Sequence, residues 1–348
     1  MLSEMVYKIL RILENRGRYG LAVRLGEQYL TRAGVLPRGK PDATFFDIQI
    51  LRVIDRCLMC TGNPGHALDL AEVTMTIVKE QGNNLLLASV GDSLASRKLL
   101  LGRLQEAHDL NQRVMVISEN ALKRATEAEE NPQLIRAYKA TLSSIYHLRS
   151  WIMETCRRYD VAESAARKAV TLSEELFDDP IKRSYNQSLL LRMLLHTNQL
   201  EEAEPLARSI FEARQEKLPE THVHAFSSRQ NVGRLLMRKH EYEEAEKHML
   251  RAYDLALELY RNEGFSDMGC FETDLGELRL AQGRFEEAIE HLDRALERLE
   301  SSYCEEHPVM IDTLNYLAEA NRKLGREDQA RSVEQRCRAI QAKIPELP

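Results

Sequence analysis

An alanine recurs along this chain at a nearly constant interval, and this constrains the fold more than any other feature. Glu241-Tyr242-Glu243-Glu244-Ala245-Glu246 returns as Arg284-Phe285-Glu286-Glu287-Ala288-Ile289 and, more weakly, as Arg326-Glu327-Asp328-Gln329-Ala330-Arg331. Upstream lie Gln199-Leu200-Glu201-Glu202-Ala203-Glu204 and Arg158-Tyr159-Asp160-Val161-Ala162-Glu163, then fainter copies around Ala107, Ala67 and Ala22. From Ala22 to Ala330 the successive spacings are 45, 40, 55, 41, 42, 43 and 42 residues. A period in this range marks an array of helical units, each burying its apolar face against its neighbours.

One unit can be read residue by residue. An apolar-periodic helix (Val232, Leu235, Leu236) leads to a polar turn that often holds Gly or Asn, as at Gly17, Gly62, Gly102, Asn198, Gly283 and Gly325. A second amphipathic helix then opens on acidic residues, which suit the positive end of its dipole. The alanine falls where the two helices cross, so a bulkier side chain would overpack the contact at about 1–3 kcal/mol. Gly233, Gly276 and Ala318, each twelve residues before its alanine, mark the opposing surface.

A small residue, then Ala twelve on, then Met249 or Leu292 and Ala252 or Ala295 four and seven further, resembles the tetratricopeptide repeat. The period near 42, Glu-Ala-Glu-Pro at 202–205 and the Glu306-His307-Pro308 link resemble its longer kinesin-light-chain variety. The resemblance covers residues 180–341 most closely and extends over 1–175 in weaker form. It implies an all-α, right-handed α-solenoid of about eight helix-turn-helix repeats in a single superhelix over 1–348. Their expected bounds are 1–34, 42–82, 85–130, 132–177, 180–217, 221–262, 265–304 and 307–342.

Composition agrees with such an array. Hydrophobic residues make up 43%, enough for a packed core, while aromatics are 6% with one Trp, which suits a helical solenoid. No apolar run approaches the roughly 20 residues of a membrane span, and Met1-Leu2-Ser3-Glu4 does not open a secretory signal, so a cytoplasmic setting is expected. The six cysteines at 57, 60, 156, 270, 304 and 337 have no framework spacing; reduced, mostly buried thiols are expected, with Cys57-x-x-Cys60 inside a helix rather than in a metal site. The net charge of −6 is uneven: residues 1–174 hold 24 basic against 20 acidic residues, and residues 175–348 hold 24 against 34.

The 55-residue interval adds about two helical turns to each of two adjoining helices. The breaker-free stretch from Leu104 to about Glu129, and Asn131-Pro132 as N-cap and first helical residue, predict an extended helical hairpin over about 115–145. Leu134, Ile135, Tyr138 and Leu142 keep helical spacing through it. Neither end of the array carries a polar capping segment. This predicts that the ends are covered by a partner, by a further domain or by a second copy, or that the chain is a fragment.

No phosphate loop, dinucleotide fingerprint or His-Glu-x-x-His is present, and His222 and His224 read as a surface pair. The sequence therefore predicts a non-catalytic protein with no cofactor and no metal. In tetratricopeptide-like arrays the first helix of each repeat lines the concave face. In that register the groove positions include Arg52, Arg56, His147, Trp151, Arg192, Gln230, Arg234 and Arg238, with His196 and Thr273 beside them and Glu277 and Glu319 toward the end. The wall is expected to be basic through repeats 1–2 and 5–6 and acidic in repeats 7–8. Arginine forks match carboxylates and Trp anchors interfaces, which predicts a scaffold or adaptor gripping another protein or an extended, acidic peptide segment. Packing of Trp151 in the core and pairing of the arginines with neighbouring acids are the plainer alternatives. A sensor or regulatory solenoid of a larger switch or peptide-receptor system is the second functional reading. Nucleic-acid binding is disfavoured by few aromatics and the lack of a basic helix.

Overall fold

The structure, a computed structural model, describes residues 2–16, 18–37, 39, 42–61, 63–259 and 268–347. The turn glycines Gly17 and Gly62, and the side chain of Cys60 in the C-x-x-C pair, lie outside that description; Cys57 is fully buried. Among the described residues there are no strands. Sixteen α-helices follow one another: α1 (Leu2–Asn15), α2 (Tyr19–Arg32), α3 (Phe45–Cys60), α4 (Pro64–Gln81), α5 (Asn84–Leu100), α6 (Leu104–Glu127), α7 (Pro132–Thr155), α8 (Tyr159–Leu176), α9 (Pro180–His196), α10 (Leu200–Lys217), α11 (Val223–Arg238), α12 (Tyr242–Leu259), α13 (Met268–Ala281), α14 (Phe285–Ser302), α15 (Ile311–Lys323) and α16 (Glu327–Gln341). Packing is most extensive inside helix pairs such as α5 with α6, α11 with α12, α13 with α14 and α15 with α16, as a helix-turn-helix array requires.

The chain falls into two compact units, Met1–Leu148 and Arg149–Pro348. In the first, Leu10, Ile48, Leu51, Ile54 and Ile77 form a continuous apolar core. In the second, separate clusters sit between successive pairs, among them Phe226 with Ala252 and Phe271, and Leu292 with Ile311 and Leu314.

The recurring alanines explain the pairs. Ala22, Ala67, Ala107, Ala162, Ala203, Ala245 and Ala288 are all 0% exposed and Ala330 is 1%. Each is the residue whose N–H makes the first full turn of the second helix, at 2.9–3.1 Å from the carbonyl four residues back. The same closing hydrogen bond precedes it in all eight repeats. The N–H of the residue four before the alanine donates to the carbonyl nine before it, as in Arg158 to Met153 (2.8 Å) and Glu241 to Leu236 (2.9 Å), which closes a Schellman-type C-cap.

That closure needs a left-handed residue five before the alanine. Gly102, Gly283 and Gly325 supply it at φ 73–75°, but Arg157, Asn198 and His240 adopt it at 58–62°. Left-handed backbone costs a residue with a Cβ roughly 1–2 kcal/mol, part of which glycine gives back through its freer unfolded chain. His240→Gly is therefore expected to raise stability by up to about 1 kcal/mol, read as a higher denaturant midpoint at unchanged m-value.

The long interval is filled by α6 and α7, 24 residues each, against at most 18 elsewhere among the described helices. Asn131 caps α7 through its side chain (2.8 Å to the Gln133 N–H), Leu142 is buried, and residues 126–133 at the tip are all exposed. At the other end of the first unit, α1 turns Leu2, Met5, Ile9 and Ile12 outward, each 43–60% exposed.

A ladder of polar contacts joins successive repeats on the second helices. Glu163, Glu204 and Glu246, each directly after its alanine, reach donors in the following turn: Gln199 (2.6 Å), Lys239 (3.0 Å) and Gln282 (2.7 Å).

Candidate functional site

The first helices carry a second ladder, and it contains most of the expected groove residues. In the first unit Arg56 donates to Glu14 (2.7 Å), Arg97 forms a two-pronged pair with Asp55 (2.8 and 2.9 Å), and Arg52 donates to the Ser89 hydroxyl (2.9 Å). Burial and the neighbouring Arg56 charge pull the Arg52 pKa below its ordinary value. Asp55, an acid at a position the pattern would make apolar, is thus buried with a partner. His147 is half-buried and belongs to this unit as well.

In the second unit the same geometry frames an open cavity of about 240 Å³. Four of the eight expected residues line it: Trp151 from α7, Arg192 from α9, and Arg234 and Arg238 from α11. His196, Thr273 and Glu277, in the same register, join them. Trp151 is half-buried and lines this space. Gln230 is not part of the wall; it is 5% exposed and hydrogen-bonds Asp274 from behind.

The wall is not basic, as repeats 5–6 were expected to be, because every one of these arginines faces a carboxylate. Arg192 donates to Glu154 (2.6 Å), Arg234 to Asp274 (2.8 Å) and Arg238 to Glu277 (2.7 Å). Burial alone would raise the Glu154 carboxyl, but Arg192 and His196 outweigh it and hold it below its usual range. At Glu277 burial wins, and the carboxyl stays above its usual range despite Arg238 and a hydrogen bond from Tyr316. Burial also raises the Tyr159 hydroxyl, whose ring stacks on His196 at 4.9 Å between centroids. The Arg192 Nε is buried with no hydrogen-bond partner.

Sequence reasoning did not assign Glu154, Asp274, Asp312, Tyr303 or Tyr316 to this wall. They come from other rows of the helices and from the segment before α15, so the three-row register could not reach them. The His222 ring caps α11 by accepting the His224 N–H (3.2 Å). Among the described residues no group of three His, Cys, Asp or Glu could hold a metal ion, and no helix is long and apolar enough to cross a membrane.

The tetratricopeptide repeat family matches residues 267–343, which hold α13–α16. No curated protein sequence matches the chain. Among solved structures, a Rap protein complexed with competence and sporulation factor is similar over 98% of this chain and 98% of its own, at 12% identity and a TM-score of 0.59. A tetratricopeptide repeat sensor protein of the signal-transduction ATPases with numerous domains, from Pyrococcus horikoshii, is similar over 87% of this chain at 15% identity and a TM-score of 0.50; the match spans 41% of that chain. Nearly identical TPR-like repeats assigned to a kinesin light chain of Podosopora anserina match 59% of this chain and 97% of their own, at 20% identity and a TM-score of 0.41. The tetratricopeptide repeat match is thus confined to α13–α16, while the same closing hydrogen bond before each of the eight alanines carries the helix-pair pattern along the rest of the chain, and the fold is similar to that of the Rap protein.

Proposed function

We propose that this chain is a non-catalytic scaffold or adaptor whose second unit takes a segment of another protein into the cavity walled by Trp151, Arg192, Arg234 and Arg238. The observation that carries this reading is convergence: the register implied by the tetratricopeptide resemblance names four side chains that line one cavity. At about 240 Å³ the space is smaller than the roughly 300–1,000 Å³ of pockets that hold a drug-sized ligand. It suits one or two inserted side chains better than a threaded backbone. Trp151 offers the apolar anchor. An acidic residue of the partner shares an arginine with Glu154, Asp274 or Glu277 instead of meeting a bare charge.

The similarity in fold to a Rap protein in complex with a factor, and to a sensor protein, supports a second reading, a regulatory solenoid that responds to a bound peptide. Both readings use the same cavity and differ in whether binding changes the shape of the array, which small-angle scattering with and without partner measures.

Trp151→Ala is the direct test. Loss of a hot-spot tryptophan costs about 2 kcal/mol or more, hence roughly a thirtyfold weaker complex, at unchanged melting temperature. Reversing Arg192 and Arg234 to Glu also opposes binding, but it sets like charges against Glu154 and Asp274, so its melting curve must be read beside it. A partner captured from the native host that binds the wild type and Trp151→Ala equally well overturns the reading.

A further inference from the structure

In a repeat array each unit is held by its neighbours, so a contact that skips several repeats is not needed to hold the fold together. Two such contacts meet at the turn between α7 and α8. Arg157 Nη1 donates to Asp312 Oδ1 of α15 at 2.8 Å, across 155 residues of sequence. Arg158 Nη1 donates to the carbonyl of Leu347, in the non-helical segment that follows α16, and Leu347 is only 3% exposed. Lys343, at the start of that segment, pairs with Glu306.

Arg157 and Asp312 both line the cavity, yet their side chains are 36% and 40% exposed, against 23% and 10% for Arg234 and Asp274. They therefore stand where the cavity meets solvent. Arg157 also holds a left-handed turn position that glycine fills in three other repeats, and its guanidinium is spent on this long-range contact.

We infer that the α7–α8 turn forms a clasp at the mouth of the cavity, closed by the Arg157–Asp312 pair and steadied by the neighbouring Arg158–Leu347 hydrogen bond, so that entry requires Arg157 and Asp312 to part. This regulates the site proposed above and rests on that reading only for its biological meaning. The test needs no partner, so the two ideas fail separately.

Cys270 lines the cavity and is half-buried, whereas Cys304 is exposed, so the chain carries its own probe and its own reference. Alkylation by iodoacetamide, followed for each cysteine by mass spectrometry, gives the ratio of the Cys270 rate to the Cys304 rate. Removing both charges with Arg157→Ala/Asp312→Ala is expected to raise that ratio about fivefold, the population shift that a partly exposed ion pair can hold back. If that double variant melts early, Arg158→Ala, which removes the hydrogen bond to Leu347 and an exposed pair with Asp160, is read by the same ratio and is expected to move it in the same direction. An unchanged ratio overturns the clasp. So does a rise shared by the buried Cys156 and Cys337 thiols, which would place these contacts in the stability of the whole unit.

Discussion

Replacing Glu272 with alanine is expected to lower the unfolding free energy by about 3–5 kcal/mol, the range for stripping one partner from a buried charged network. Glu272, in α13, is 0% exposed and gathers groups from two other helices. Tyr253 of α12 donates to Oε1, Arg294 of α14 reaches the same oxygen at 3.2 Å, and His291 Nδ1 lies 2.6 Å from Oε2. Without the carboxylate, three polar groups lose their common acceptor; Arg294 can turn to solvent, but the half-buried Tyr253 and His291 are left facing the gap.

The effect has a defined pH dependence. Burial alone would raise the Glu272 carboxyl, but the hydrogen bonds from His291, Tyr253 and Arg294 outweigh it, and the group sits below its ordinary value of 4.5. A depressed acid contributes stability that is fully present above the unfolded pKa and disappears as pH falls through the folded one. Urea titrations should therefore show the full gap between wild type and Glu272→Ala at pH 7. The gap should narrow progressively below about pH 4.5. A gap that stayed constant down to pH 3 would show that the lost packing, and not the carboxylate, was responsible.

Gly276→Leu is expected to be the second most damaging exchange, at about 1–3 kcal/mol. A Cβ built at Gly276 would lie 2.6 Å from Leu292 Cδ2 and 3.4 Å from the Ala288 carbonyl, so the α13–α14 crossing would have to open. Gly65, in the first turn of α4, has nothing within 4 Å of its Cβ position. Gly65→Ala should accordingly stay within about 0.5 kcal/mol of wild type. Thermal melts of the two variants side by side separate a steric cost at the helix crossing from the general cost of replacing a helical glycine.

The parts of the fold that depend on local spacing could be read from sequence, and the parts that depend on accumulated geometry could not. The eight alanines gave the number and phase of the turns because a crossing tolerates only a small side chain, and each proved fully or almost fully buried. The lengths of α6 and α7 followed from counting residues against 3.6 per turn. Arg157 and His240 in left-handed backbone had no signature, since nothing in a polar residue announces a positive φ.

At the candidate site the register found Trp151, Arg192, Arg234 and Arg238 because side chains four apart share a face. It also named Gln230, which is buried against Asp274 and is not among the lining residues, and it did not reach the carboxylates that balance the arginines. Asp274 and Glu277 belong to the repeat after the arginines they meet, so the pairing depends on how far one repeat is rotated against the next. The contact between Arg157 and Asp312 depends on that rotation summed over four repeats, which no local pattern encodes.

The ladder on the second helices has a consequence for how such a chain can grow. Glu204 serves the turn after it, while Lys239 is served by the repeat before it, and the Glu163–Gln199 and Glu246–Gln282 contacts repeat the arrangement. A tandem duplication of residues 204–245 would thus present the same donor and acceptor at each new joint, stranding no carboxylate. Array length is free to drift by whole modules, whereas an insertion of any other size would break the joints on both sides of it.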